Sequence, residues 1–164
     1  MLLKIIVSLT VVLSIPVGLL IGALVQNDLP LLDPPGFKKR LAVYFKTNIA
    51  ETTENSIFPE LRPRSYTETI QKLDEAIQQT VIALGWDIIE KDTTEHSLHA
   101  LVTTPLCKYK DDITIRLTPQ TNNATSVYVR SQSRTGKGDL GTNTRHVMDF
   151  YQALEKQLQY KKSG

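Results

Sequence analysis

The residues with chemical potential crowd into one stretch of this 164-residue chain, "VRSQSRTGKGDLGTNTRH" (129–146). It holds Arg130, Arg134, Arg145 and Lys137, three glycines and a single acid, Asp139. Such a stretch can be a phosphate cradle, an acid–base loop or a turn between a strand and a helix. The nucleotide-loop spacing GxxxxGK[ST] is absent, and Asp139 would repel a phosphate. Gly136 and Gly138 are therefore read as supplying positive φ for a tight turn out of a strand. Asp139 or Thr142 then caps the helix that follows.

The other reactive types are scattered. His96 and His99 stand three apart at a turn and strand start, which points them to opposite faces and argues against a shared metal. The third histidine, His146, follows Arg145. Cys107 is the only cysteine, so neither an intrachain disulfide nor a cysteine metal site is available. It reads as a small buried hydrophobe, and nothing in the sequence brings it to His99 as a nucleophile to its base. Asp111 and Asp112 are adjacent and must face opposite ways on a strand. No serine lies in a G-x-S-x-G elbow, and Trp86 reads as core. The expectation is no catalytic set, no metal and no cofactor.

The elements that hold these residues have clear periodicity. Ser65 and Glu68 suggest a capping box ahead of a helix whose apolar face is Ile70, Leu73, Ile77, Val81 and Leu84, with Gly85 at its C′ position. Strands are predicted over 86–92, 97–104, 111–118 and 126–134. A last helix carries Val147, Phe150, Tyr151, Leu154 and Leu158 on one side. The order α-β-β-β-β-α predicts an α+β fold: a two-layer domain over 65–160 with a four-stranded antiparallel sheet and two helices on one face. In that register Ile113, Ile115, Leu117, Val127 and Val129 face inward. Arg116, Arg130 and Arg134 face outward with His99 and Tyr128. This outer face is a candidate anion-binding surface; the competing reading is a solvated face neutralised by the acids of the 47–65 segment.

The N-terminus has a different character. Residues 5–25 carry no charge, and as a helix they would extend about 32 Å, enough for a hydrocarbon core of roughly 30 Å. The run is too long for the apolar core of a typical cleaved signal peptide, so residues 1–26 are predicted to be an uncleaved signal anchor held by the lipid bilayer. Gly18 and Gly22 make a GxxxG spacing, here read simply as small residues facing lipid. Residues 27–64 read as a Pro-rich linker and irregular juxtamembrane segment, within which "FKKRLAVYFK" (37–46) either lies on anionic headgroups or starts the packed domain. Lys38, Lys39 and Arg40 slightly favour a cytoplasmic domain by the positive-inside rule. The net charge of +2 argues against a general nucleic-acid binder.

Within 129–146, the run Arg130, Ser131, Ser133, Arg134, Gly136, Asp139, Leu140, Gly141, Asn143 and Arg145 resembles the signature R-S-x-S-R-x-G-x-x-D-L-G-x-N-x-x-R of a bacterial and plastid family known as domain of unknown function fourteen ninety-nine, with Arg145 one position short of the signature's last arginine. "LGWDI" (84–88) and "DDITIRL" (111–117) add to the likeness, which covers about residues 47–158. An Asn-x-Val-Ser-Ser segment of many members is replaced here by "TNIAETTE" (47–54). The resemblance implies an anchored or exported envelope protein, hence a single-pass protein of the bacterial inner membrane with its domain in the periplasm, and implies no established activity.

Two functions follow as expectations. One is a non-catalytic binding or scaffold module that meets an anionic ligand or envelope protein through Arg116, Arg130, Arg134, Asp139, Asn143 and Arg145. The other is an enzyme acting on a small anionic or lipid substrate with the 130–145 loop, using His99 or Asp139 as acid or base.

Overall fold

Alternating apolar and polar residues build the sheet, and short polar segments extend it. The computed structural model describes residues 27–104, 108–121 and 123–162, together with 18, 21, 22, 24 and 25. In chain order its elements are α1 (Phe37–Lys46), β1 (Ile49–Glu51), a 3-10 turn (Pro59–Leu61), β2 (Arg64–Tyr66), α2 (Ile70–Ala83), β3 (Asp87–Asp92), β4 (Ser97–Thr103), β5 (Lys110–Pro119), β6 (Thr125–Ser133) and α3 (Thr142–Lys162). The fold is α+β as expected, but the antiparallel sheet has six strands rather than four, in the order β1-β6-β5-β4-β3. The sixth, β2, shares an edge of β6 with β1: Ala50 sits opposite Ser131 and Ser65 opposite Ser126. These two strands have three residues each, too few for a period of two to show in sequence.

The packed face follows the predicted register. Leu98 and Ala100 of β4, Ile113 and Ile115 of β5 and Val127 and Val129 of β6 are buried against Leu73, Ile77 and Val81 of α2 and Val147, Phe150 and Leu154 of α3. Each such apolar side chain contributes about 1.5–3 kcal/mol when taken out of water. Tyr151 joins them with its hydroxyl donating to Val127 O at 2.6 Å, and burial pushes that phenol's pKa up to about 12.

Of two local expectations at the ends of α2, one is corrected and one holds. The cap of α2 is Thr69, whose Oγ1 accepts from Lys72 N at 3.3 Å. Ser65 does not cap, because it lies in β2 and its hydroxyl meets Ser126 Oγ at 2.8 Å. At the other end Gly85 takes φ +71°, with Gly85 N bonding Ile82 O and Trp86 N bonding Val81 O, so the predicted C′ glycine closes the helix.

Residues 27–64 also hold more structure than an irregular segment. α1 packs on the domain through Arg40 and Tyr44, both almost fully buried. The Arg40 guanidinium pairs with Glu60, donates to Tyr44 Oη at 3.2 Å, Asp33 O at 3.1 Å and Pro34 O at 2.6 Å, and lies 5.1 Å from the Phe58 ring centre. A buried charge needs this many partners. Among the described residues no helix is long and apolar enough to cross a membrane. The predicted span, 5–25, lies mostly outside them, although residues 18, 21, 22, 24 and 25 are helical. Cys107 lies outside the described residues.

Candidate functional site

Inward parity continues past the valines of β6, so Ser131 and Ser133 point into the protein beside Asp111 of β5, which pairs with Ser133 across the sheet. Beyond β6 the chain must reverse into α3. Gly136 supplies φ +89° for that turn, as expected. Gly138 serves differently from the expectation: a Cβ there would come within 2.3 Å of Phe45 O, so the glycine is needed for close approach to α1. The loop is then pinned to the end of α1, with Leu140 N donating to Tyr44 O at 3.0 Å and Asp139 N to Thr47 O at 3.2 Å.

Asp139 does cap α3. Its Oδ1 accepts from Gly141 N at 2.9 Å and its Oδ2 from Asn143 N at 2.9 Å. Asn143, fully buried in the first turn, extends the arrangement. Its Nδ2 donates to Asp139 Oδ2 at 2.7 Å, Ser133 Oγ at 2.9 Å and Asn48 O at 2.9 Å, and its Oδ1 accepts from Ser131 Oγ at 2.5 Å. Asn48 in turn donates to Ser133 O at 3.0 Å and Gly136 O at 2.9 Å. The group is a buried latch joining β6, the glycine loop, the start of α3 and Asn48, two residues past α1.

At its inner edge stands the pair with the most unusual chemistry. Asp111 is 1% exposed, and its carboxylate oxygens have no hydrogen-bond partner among the described residues. His146 Nδ1 lies 3.7 Å from Asp111 Oδ2 and 3.3 Å from Ser131 Oγ. Burial pushes the His146 pKa down; Asp111, Asp149 and Asp139 oppose that without reversing it. Trp86 closes the site, edge-on to His146 at 5.8 Å and stacked on Phe150 at 6.4 Å.

Serine, histidine and aspartate in contact invite comparison with a nucleophilic triad, and the geometry argues against one. Ser131 gives its one hydrogen to Asn143, so toward His146 it can only accept. Hydrogen-bond pairing therefore assigns the proton of neutral His146 to Nδ1. Both contacts converge on that nitrogen, whereas a triad needs the ring to bridge serine and carboxylate through opposite nitrogens. Ser131 is also wholly enclosed.

The six residues predicted as a binding set separate in the structure. Asp139 and Asn143 belong to the latch. Arg145 leaves it for Asp149 at 2.8 Å and Asp28 at 3.3 Å, and these acids hold its guanidinium pKa above its usual value. Arg116, Arg130 and Arg134 do share the outer sheet face. That face is not uniformly basic. Arg134 makes a two-pronged pair with Asp112 at 2.7 and 2.8 Å, which lowers the Asp112 pKa, and Arg130 approaches Glu51 at 3.7 Å. Glu54 accepts from the Tyr128 hydroxyl at 2.6 Å. Asp87, Glu90 and Asp92 pair across the sheet with Leu101, His99 and Ser97 and so border the same face. A depression of about 270 Å³ there is lined by Glu90, Asp92, Ser97, Leu98, His99 and Thr114, an acidic setting that disfavours an anion. Arg116 alone of the three arginines has no ion pair among the described residues.

Sequence reasoning missed Ser131, Ser133, Asp111, His146 and Asn48 as members of one cluster. The signal was present for three of them, since inward parity in β5 and β6 includes Asp111, Ser131 and Ser133. Among the described residues no group of three or more His, Cys, Asp or Glu side chains is arranged to hold a metal ion.

Together these features define a two-layer α+β domain locked by a polar latch between its last strand and last helix, with the opposite sheet face uncovered. The chain belongs to the family described as protein of unknown function (DUF1499), whose model matches residues 31–154 and so takes in α1 and the turns before it. A search of curated proteins finds no significant match.

Proposed function

We propose that this chain is a membrane-anchored, non-catalytic binding module that offers its open sheet face to a partner bearing carboxylate or phosphate groups. The observation that carries this reading is the contrast between the two faces. On the inner face, Ser131, Ser133, Asp139 and Asn143 direct their polar groups at one another and at backbone. On the outer face Arg116 stands exposed beside Tyr128 and Ser97, its cross-strand neighbours, with no carboxylate of its own. A guanidinium in that position favours a bidentate anionic group. The enzymatic alternative divides its two acid–base candidates: His99 is on the outer face, 3.9 Å from Asp112, while Asp139 is engaged in capping.

The anchor is supported by the uncharged run 5–25 and by Ile21 and Val25, which are 55% and 73% exposed among the described residues. The family resemblance favours the bacterial inner membrane with the domain in the periplasm, which alkaline phosphatase fused after Gly164 would report as activity. The binding face is tested in cells with a photo-crosslinking residue at Thr114, on that face, or at Lys156, exposed on α3. A discrete adduct should form from Thr114 and vanish with Arg116→Glu. No adduct, or one indifferent to Arg116→Glu, sinks the reading.

A further inference from the structure

We infer that α1 is a membrane-docking helix whose free face rests on an anionic lipid surface. The inference rests on the anchored reading above and deepens it by assigning a second lipid contact to the domain.

The ten residues of α1 contain no acid. One side is committed to the domain through Arg40 and Tyr44. The rest of the helix surface carries two adjoining stripes at four-residue intervals. Phe37, Leu41 and Phe45 form the apolar stripe, with Phe37 47% and Phe45 48% exposed. Lys38, Ala42 and Lys46 form the neighbouring stripe, and Lys39 lies beyond it; all four are exposed. None of these lysines has an ion pair among the described residues. Leu32, 86% exposed, lies a few residues before the helix. Half-exposed aromatic rings alongside unpaired lysines match a helix lying in a lipid interface, where rings enter the acyl boundary and lysine stems reach the headgroups. A basic charge set selects an anionic surface.

Connectivity puts this face within reach of a bilayer. Only residues 26–36 separate the uncharged run from α1. Residues 27–36 are folded back by turns, with Asp28 N bonding Val25 O, Leu31 N bonding Leu29 O, Asp33 N bonding Pro30 O and Gly36 N bonding Asp33 O. A segment so contracted holds α1 close to where residue 25 ends.

The test uses the full chain with Cys107→Ser, reconstituted in vesicles of brominated phosphatidylcholine with or without about a third phosphatidylglycerol. A fluorophore is placed at Ala42→Cys on the free face, or at Glu95→Cys in the β3–β4 turn at the far end of the sheet. Three lysines near an anionic surface should favour contact about a hundredfold. Strong quenching is expected at position 42 in anionic vesicles only, falling to the position 95 level when Lys38, Lys39 and Lys46 are all changed to Glu. Trp86 emission checks that this triple variant is folded. Quenching at 42 no greater than at 95, or quenching indifferent to the lysine reversals, overturns docking. Alkaline carbonate extraction of the same samples reads the anchor separately. A chain that stays in the membrane with position 42 unquenched loses docking alone. One that is released loses the anchor, and its position 42 signal before extraction still decides docking.

Discussion

Replacing Asn143 with Ala should unmake the latch. The side chain makes four hydrogen bonds, to Asn48 O, Ser133 Oγ, Asp139 Oδ2 and Ser131 Oγ. A neutral bond of this kind contributes about 0.5–1.5 kcal/mol and one to a carboxylate about 1.5–3, while each buried group left unpaired adds a penalty of its own. The amide has two hydrogens for three acceptors, so one bond is shared and the sum is discounted. The expected cost is about 3–5 kcal/mol, a large part of the roughly 5–15 kcal/mol that holds a domain together. With a slope of about 2 kcal/mol per molar, the urea midpoint should fall by about 1.5–2.5 M. Trp86, the only tryptophan, stacks on Phe150 beside His146, so its emission follows the transition at the latch itself. A double-mutant cycle with Ser131→Ala should be strongly non-additive, because Ser131 bonds directly to Asn143. A cost under about 1 kcal/mol, or additive single changes, would refute the view of Asn143 as the centre of a cooperative network.

Three further outcomes follow from the same geometry. Burial places the His146 pKa below its ordinary 6.5, so the unfolded chain binds the proton more readily and stability should fall as pH drops through 6.5; urea midpoints at pH 7 and 5 should show this in the wild type and less in His146→Gln, and a wild type that gains stability on acidification contradicts it. Gly138→Ala forces a Cβ against Phe45 O and should cost about 1–3 kcal/mol by thermal denaturation, with α1 loosening first in hydrogen exchange. Arg40→Met strands Glu60 in a nearly closed site and should cost about 3–5 kcal/mol, whereas adding Glu60→Leu should recover most of that in the same urea assay.

What could be read from sequence divides along physical lines. The four long strands and the two long helices show because many apolar residues recur at one period, and burial enforces that period over β4–β6, α2 and α3. α1 does not show, since the side chains it buries are Arg40 and Tyr44, whose types do not announce an inward face. β1 and β2 are set by pairing to β6 and not by their own pattern. At the site, Asp139 is legible as a cap because a short acid before an apolar-periodic run satisfies open amides. The arginines are legible as an outer-face set, and so is the acidic 47–65 segment that brings Glu51 to Arg130, but Asp112 reaches Arg134 only through strand pairing. Ser131 and Ser133 were obscured by their polarity, although the parity that buries Val127 and Val129 buries them too.

The latch also couples the two proposed contacts. Its outer bonds end on Tyr44 O, Thr47 O and Asn48, the last residues of α1 and those just after it. Its inner bonds end on Ser131 and Ser133, which alternate with Arg130 and Gln132 of β6, and with Arg134 just after it, on the opposite face. A buried network with every bond inside a few ångströms transmits orientation with little slack. An α1 lying on lipid would thereby fix the angle at which the arginine-bearing face meets its partner. Loosening the latch by Asn143→Ala should then weaken crosslinking from Thr114 even at temperatures where the domain stays folded, while Arg116→Glu weakens it at every temperature. Crosslinking from Thr114 that Asn143→Ala leaves unchanged wherever the domain stays folded would mean that the face and α1 act independently.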